Sequence, residues 1–385
     1  MRVGIHSVLV IGKVRKALLL VAVLIAIAML GSDVALSQRS TGPQVPFYTA
    51  IDLTPSGFDE TLASGVSGEE QVGYGSGPAT GFQKHALLWR GSAASVVDLN
   101  PSGFDESYAS GVCGGQQVGH GSGPVTRDAT HALVWRGSAA SVVDLHPRSF
   151  DGSEIRSTSG GEFVGDGGGP ATGGDIHALL WRGSAASVVD LHPHGFVWSR
   201  AYGISDGQQV GEGELPTPGP YRNEHALVWR GSAGSVVDLH PRGFIFSSTG
   251  GVFGGQTVGS GALEVAGGVG DYHALLWRDS AASMVDLTPT GFRSSAAVAT
   301  NGEEQVGTRD GHAVLWRGSA ASVMDLSAFL PPGFQFSGAS SIDANGDIVG
   351  FAGPTGGEGE TLHAFLWKRN APRLGTSHEQ NTKRC

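Results

Sequence analysis

Seven histidines, seven aspartates and seven tryptophans recur at fixed spacing, and each of these residue types is able to do chemistry. The histidines open a His-Ala-x-x-Trp motif at His85, His131, His177, His225, His273, His312 and His363. The tryptophans close it at Trp89, Trp135, Trp181, Trp229, Trp277, Trp316 and Trp367. The aspartates Asp52, Asp98, Asp144, Asp190, Asp238, Asp286 and Asp325 are the centre of a (Val/Ile/Met)-Asp-Leu motif. A zinc site would need several imidazoles converging within about 2 Å of one ion. One histidine per repeat spreads them round a wide ring instead, so they are read as structural, bonded to backbone or side-chain groups near a loop. A catalytic acid needs one carboxyl in a special environment, not seven with the same neighbours. The aspartates are therefore expected to accept backbone or tryptophan N–H bonds, and the indoles to stack in the core. No catalytic residue, metal ligand or cofactor is assigned from these repeats.

Residues that break the repeat are fewer. Asp343-Ala344-Asn345-Gly346-Asp347 spaces its oxygens like the start of a calcium loop. Ile348-Val349-Gly350 follows where a bidentate glutamate would be needed, so a hairpin turn is the expectation. His146, His192 and His240, with His194, Arg148 and Arg242, fall in the loop after the Asp-Leu motif. That loop and the variable loops Glu212–Glu224 and Ser260–Tyr272 are expected on one face of the fold. Variable loops on a rigid frame are where binding usually resides, and unselected drift explains the variation equally well. Asp59, Glu60, Asp105 and Glu106 form an acidic group found in only two adjacent copies. The one Gly-x-Ser-x-Gly match, Gly203–Gly207, falls on the Asp206-Gly207 hairpin and not on an elbow into a helix, and there is no phosphate loop and no His-Glu-x-x-His.

The elements that must position these residues follow from the same markers. A third marker ends in Val-Gly at Val72, Val118, Val164, Val210, Val258, Val306 and Val349, so three independent signals agree on seven copies. Steps between the motif histidines run from 39 to 51 residues. In the fourth unit, Val188–Leu191, Ser199–Ile204, Gln208–Gly211 and His225–Trp229 read as short strands, with Asp206-Gly207 as a tight hairpin turn. His-Ala-Leu-Leu-Trp is apolar on both faces, as a strand between two neighbouring sheets must be. Seven such units of about 46 residues imply an all-β, seven-bladed β-propeller with four antiparallel strands per blade. The first marker is an Asp-Leu strand with no His-Ala strand before it, and the last is a His-Ala strand with no Asp-Leu strand after it. Pairing the two would close the ring, so closure by the N-terminal strand is expected.

Arg2, Lys13, Arg15 and Lys16 precede the uninterrupted apolar run Ala17–Leu30, and Ala35-Leu36-Ser37 supplies small residues after it. Residues 1–37 are thus expected to be a signal peptide. An uncleaved anchor is the alternative, because Val8–Ile11 lengthens the apolar stretch. Residues 38–46 read as a linker, 47–367 as the repeat domain and 368–385 as a basic, disordered tail. The net charge of −10 disfavours nucleic acid and anionic lipid as partners. Two cysteines, Cys113 and Cys385, are too few for a disulfide framework.

His225-Ala226-Leu227-Val228-Trp229 and its copies resemble the extracellular HAF repeat, and His363-Ala364-Phe365 carries the full His-Ala-Phe. Ser199–Ile204 followed by Asp206-Gly207-Gln208 and Val210-Gly211 is similar to the second half of that repeat. Leu191-His192-Pro193 and Gly195-Phe196 stand where the family tends to carry Leu-Gly and further glycine. The resemblance implies a bacterial, extracellular protein without assigned activity, and it carries over no functional residue. The expectation is a secreted, monomeric, non-catalytic ring with a binding or structural role at the cell surface, its partner a glycan or a cell-surface protein. The alternative is a propeller hydrolase or lyase acting on an extracellular polysaccharide, with Asp59, Glu60, Asp105 and Glu106 as the first candidates.

Overall fold

The computed structural model describes residues 47–216, 223–265, 268–354 and 361–370. The expected signal peptide and linker, and residues 371–385 of the expected tail, lie outside the described residues. The rest is a seven-bladed β-propeller, each blade one four-stranded antiparallel sheet. Blade 1 runs from Glu60 to Asp98, blade 2 from Glu106 to Asp144, blade 3 from Gly152 to Asp190 and blade 4 from Trp198 to Asp238. Blade 5 runs from Phe244 to Asp286 and blade 6 from Ser295 to Asp325. Blade 7 takes three strands from Phe336–Arg369 and its outermost strand from Tyr48–Asp52. Tyr48 pairs with Arg369 and Asp52 with Phe365, which is the ring closure expected from the offset markers.

The Val-Gly marker is a packing constraint. In every blade the innermost strand carries a register shift, as between Ala201 and Gly203 in blade 4. The shift swings an inner-strand carbonyl against the glycine of the second strand. A Cβ on Gly307 would lie 1.9 Å from the Ala296 carbonyl oxygen, and the equivalent glycines are as tightly held. Gly307→Ala is therefore expected to destabilise the ring by about 1–3 kcal/mol through forced backbone displacement. Chemical denaturation checks this, and an unchanged midpoint would refute the account.

The His-Ala strand is the third of each blade, and its alternation serves two neighbours at once. Leu179 and Trp181 of blade 3 pack against Val118, Ala132 and Leu145 of blade 2. Ala178 and Leu180, on the opposite face, pack against Ala201, Leu227 and Trp229 of blade 4. All seven motif tryptophans are fully buried. A polar lock also joins successive blades. Ala178 N–H donates 3.0 Å to Ser199 Oγ of the next blade, and the same bond recurs round the ring, ending with Ala364 N–H to Thr61 Oγ1 at 2.9 Å.

The motif aspartates do accept backbone N–H bonds, from the residue two places on, as Asp190 Oδ1 does from His192 N–H. Their second partner is the motif histidine rather than a tryptophan: His177 Nδ1 lies 2.7 Å from Asp190 Oδ2, and each blade repeats the pair.

Three boundaries differ from expectation. The outermost strand of blade 4's predecessor is two residues, Val189–Asp190, because the chain turns away at Pro193. Residues 260–265 and 268–272 are strand and not loop: Gln256–Val265 and Gly268–Trp277 extend the blade 5 sheet to ten-residue strands. Lys368 and Arg369 belong to the last strand, not to the tail, because Lys368 Nζ meets Asp347 Oδ2 at 2.7 Å and Arg369 pairs with Glu304.

Candidate active site

The innermost strands enclose a central cavity of about 710 Å³. Its wall is mostly glycine, serine and small apolar residues, with Arg156 and Tyr202 from the innermost strands and Glu70, Asn301, Asp343 and Asn345 from the hairpin turns as the larger polar side chains. The core treats all seven blades alike, but the first two strands of each blade differ at one position, and that position meets the cavity only through its neighbours Arg156 and Tyr202. The residue directly after each Val-Gly faces, across the strand pair, a residue of the innermost strand. Blades 1–4 place there Tyr74 opposite Leu62, His120 opposite Tyr108, Asp166 opposite Glu154 and Glu212 opposite Arg200. Blades 5–7 place Ser260 opposite Ser248, Thr308 opposite Ala296 and Phe351 opposite Gly338. At this position the arc of blades 1–4 is titratable and blades 5–7 are not.

Within that arc the contacts are continuous. Tyr74 and Tyr108 meet edge to face with centroids 5.0 Å apart. His120 stacks on Tyr108 at 4.8 Å with an interplanar angle of 18°. His120 Nδ1 lies 3.4 Å from Glu154 Oε2, buried and without the geometry of a hydrogen bond. Arg156 donates from Nε to Asp166 Oδ1 at 2.8 Å and from Nη2 to Glu154, and its guanidinium lies 5.2 Å from the Tyr202 ring centroid. Arg200 Nε is 3.8 Å from Asp166 Oδ2, and the Tyr202 hydroxyl donates to Glu212.

These surroundings set protonation. Burial, then the Arg156 charge, pushes His120 down to about 4, so its imidazole is neutral at pH 7. Burial, then Glu106, pushes the Tyr108 hydroxyl up to about 12, so it keeps its proton. Burial pushes Asp166 up to about 6 against the pull of Arg156. A neutral base, a protonated hydroxyl and a fixed cation side by side are the components of general acid–base catalysis on an anionic substrate.

The residues singled out from sequence are distributed unevenly. Glu60 and Glu106 border the arc: Glu106 Oε2 accepts from the Tyr108 hydroxyl at 3.3 Å, and the Glu60 charge raises Tyr74 after burial does. Asp59 and Asp105 point into solvent beside them. His146, His192 and His240 are not free loop ligands. Each stacks 3.9 Å from its motif histidine and meets a lock serine at 2.9 Å through Nδ1, and burial lowers all three. His194, Arg148 and Arg242 are exposed. Asp343 forms the expected turn, accepting from Asn345 and Asp347 N–H at 2.9 Å, and burial pushes it up to about 6. Among the described residues no group of three or more His, Cys, Asp or Glu converges as a metal ion would require.

No family model matches the chain, and no curated protein sequence matches it. Solved structures of the same fold do. The β-propeller domain of the trilobed protease from Pyrococcus furiosus, described as having an open velcro topology, matches at 9% identity and TM-score 0.54, over 85% of this chain and 100% of that one. The acylaminoacyl peptidase of Pyrococcus horikoshii matches at 10% identity and TM-score 0.51, over 82% of this chain and 53% of that one. An oligogalacturonate lyase in complex with manganese matches at 10% identity and TM-score 0.50, over 84% and 96%. At these identities the likeness is one of fold.

The expectation of a non-catalytic ring is corrected here. Propellers of this architecture occur as a lyase and within peptidases, and the equivalence of blades on which that expectation rested fails in the first two strands, at the residue after each Val-Gly. His120, Asp166, Glu212 and Tyr74 were missed because they sit inside a strand frame that repeats from blade to blade. Their signal was nonetheless present: they are the residues that follow the Val-Gly marker, and they differ in every copy.

Proposed function

We propose that this protein cleaves an acidic polysaccharide by β-elimination beside the central cavity, with His120 as base, Tyr108 as acid and Arg156 as the cation facing the substrate carboxylate. The observation that carries this reading is the stack of a neutral imidazole on a protonated phenol within reach of the Arg156 charge. His120 would remove the proton α to the uronate carboxylate. That electron pair forms the new carbon–carbon double bond, the adjacent glycosidic C–O bond breaks, and the Tyr108 proton goes to the leaving oxygen. Proton return from His120 to Tyr108 then resets the pair. Hydrolysis by paired carboxylates is less well supported, because Glu154 and Asp166 are both tied to Arg156. The sequence features of the N-terminus and the HAF-like repeats support action outside the cell, on a glycan as partner.

The test is a panel of uronate-containing and neutral polysaccharides, followed by ultraviolet absorbance of the unsaturated product and by reducing ends. Both signals are expected on a uronate polymer. Reducing ends without absorbance would replace elimination by hydrolysis, and neither signal on any polymer would overturn catalysis.

A further inference from the structure

Each lock hydroxyl has a second partner, the residue two places after the motif aspartate of the preceding blade. At four junctions that partner is Thr54, Asn100, Thr288 or Ser327, none of which titrates. At the three successive junctions of blades 2–3, 3–4 and 4–5 it is His146, His192 and His240. His146 Nε2 lies 3.1 Å from the Phe150 carbonyl oxygen, His240 Nε2 lies 3.1 Å from that of Phe244, and the Phe196 backbone serves His192. A carbonyl only accepts, so the ring proton sits on Nε2 and Nδ1 is left to accept. Ser153 Oγ accepts from Ala132 N–H and gives its own proton to Nδ1, and Ser199 and Ser247 repeat this with Ala178 and Ala226. Asn100 meets the same demand without a titratable group: its Oδ1 accepts from Ser107 Oγ at 2.7 Å, and its Nδ2 donates to Phe104 O at 3.0 Å. The junction needs one acceptor and one donor, whereas an imidazolium offers two donors.

We propose that these three junctions are an acid-sensitive latch, in which protonation of His146, His192 and His240 breaks the acceptor side of the lock and loosens blades 3 and 4 against their neighbours. The latch holds the strands that face the cavity. Ser153 and Ser199 stand three residues before Arg156 and Tyr202 on the innermost strands of blades 3 and 4. Burial first, then the motif histidines His131, His177 and His225 stacked 3.9 Å away, oppose a second proton. Asp144, Asp190 and Asp238, with Asp151 near His146 and Asp175 near His192, offset part of that opposition. Arg148, His194 and Arg242 of the same loops are exposed. The balance holds all three histidines below the ordinary value of 6.5. A histidine held low in the folded ring takes its proton more readily when unfolded. Its stabilising contribution is therefore complete above that ordinary value and is lost as pH falls below it.

Native-state hydrogen exchange of the full chain reads each lock separately. Between about pH 7.5 and pH 5, corrected for intrinsic exchange, the amides of Ala132, Ala178 and Ala226 are expected to lose protection by roughly tenfold. The equivalent amides of Ala86, Ala274, Ala313 and Ala364, at junctions without the second histidine, serve as controls in the same sample. A uniform change round the ring overturns the latch. The triple variant His146→Asn, His192→Asn, His240→Asn copies Asn100 and is expected to abolish the difference. Its melting temperature should fall less than that of the parent over the same pH interval, by about 5 °C. His120 titrates in both proteins and cancels from this comparison. Equal falls in parent and triple variant overturn the latch. His192→Asn alone tests one junction in a ring changed at a single residue. It is expected to restore protection at Ala178 only, and an Ala178 amide as acid-sensitive as in the parent overturns the latch as well.

Discussion

Replacing His120 with alanine is expected to lower kcat/KM on an acidic polysaccharide by about 10²–10⁴-fold, the usual contribution of a positioned proton acceptor. The fold should hardly notice. His120 is not a motif histidine, and its Nδ1 makes no hydrogen bond whose loss would unpair a partner. The melting temperature of the variant should therefore stay close to that of the parent. Activity surviving at the parental level in a folded His120→Ala protein would remove this residue from the chemistry. The pH profile gives a second readout. The free protein holds His120 at about 4, so the acid limb of kcat/KM should lie well below the ordinary histidine range. Protonation blocks the base, so rate falls as pH drops through that value. A bound carboxylate offsets the Arg156 charge that helps depress His120. The acid limb of kcat, which reports the complex, should consequently sit at higher pH than that of kcat/KM.

Deleting residues 47–53 is expected to lower the melting temperature by about 10 °C or more. The segment supplies the whole outer edge of blade 7 through five register pairs. It buries Tyr48 and Leu53, each worth about 1.5–3 kcal/mol. Leu53 N–H donates to Ala364 O at 2.8 Å, the Tyr48 hydroxyl donates to Gly346 O at 3.1 Å, and Asp52 completes the pair with His363. Removal would expose the backbone of the last strand as an unpaired edge. Scanning calorimetry of the truncated chain checks this. A melting temperature equal to that of the full chain would mean that blade 7 closes without its fourth strand.

The fold was legible because the physics that makes a propeller is periodic. The His-Ala strand serves two neighbours at once, the Val-Gly glycine must clear a bulged carbonyl, and the offset ends must meet, so each requirement is written seven times. The candidate site was not legible in the same way, because it consists of departures from the repeat. Tyr74, His120, Asp166 and Glu212 lie in strands whose remaining residues hardly change, whereas variation was sought in the loops. Glu60 and Glu106 were found because acidic residues stood out in two copies. Their importance lies in what they border, Tyr74 and Tyr108, which only the strand pairing reveals. The aspartates were half read: a backbone acceptor role follows from the turn, but the histidine partner lies 13 residues away in sequence and depends on the pairing of the third and fourth strands. Lys368 and Arg369 were assigned to the tail on charge, because their partners, Asp347 in the hairpin turn of the same blade and Glu304 in blade 6, come beside them only in the folded ring.

The divided seventh blade also sets a schedule. Its outer strand is the first part of the ring to leave the ribosome, and the strand it pairs with is among the last. Six blades can assemble as the chain emerges, while residues 48–52 wait more than 300 residues for their partner. Until then the array carries one bare strand at each end, the state most prone to join the wrong molecule. Nearly the whole chain must therefore be present before any copy can finish folding, and a second copy nearby during that interval competes for the same edge.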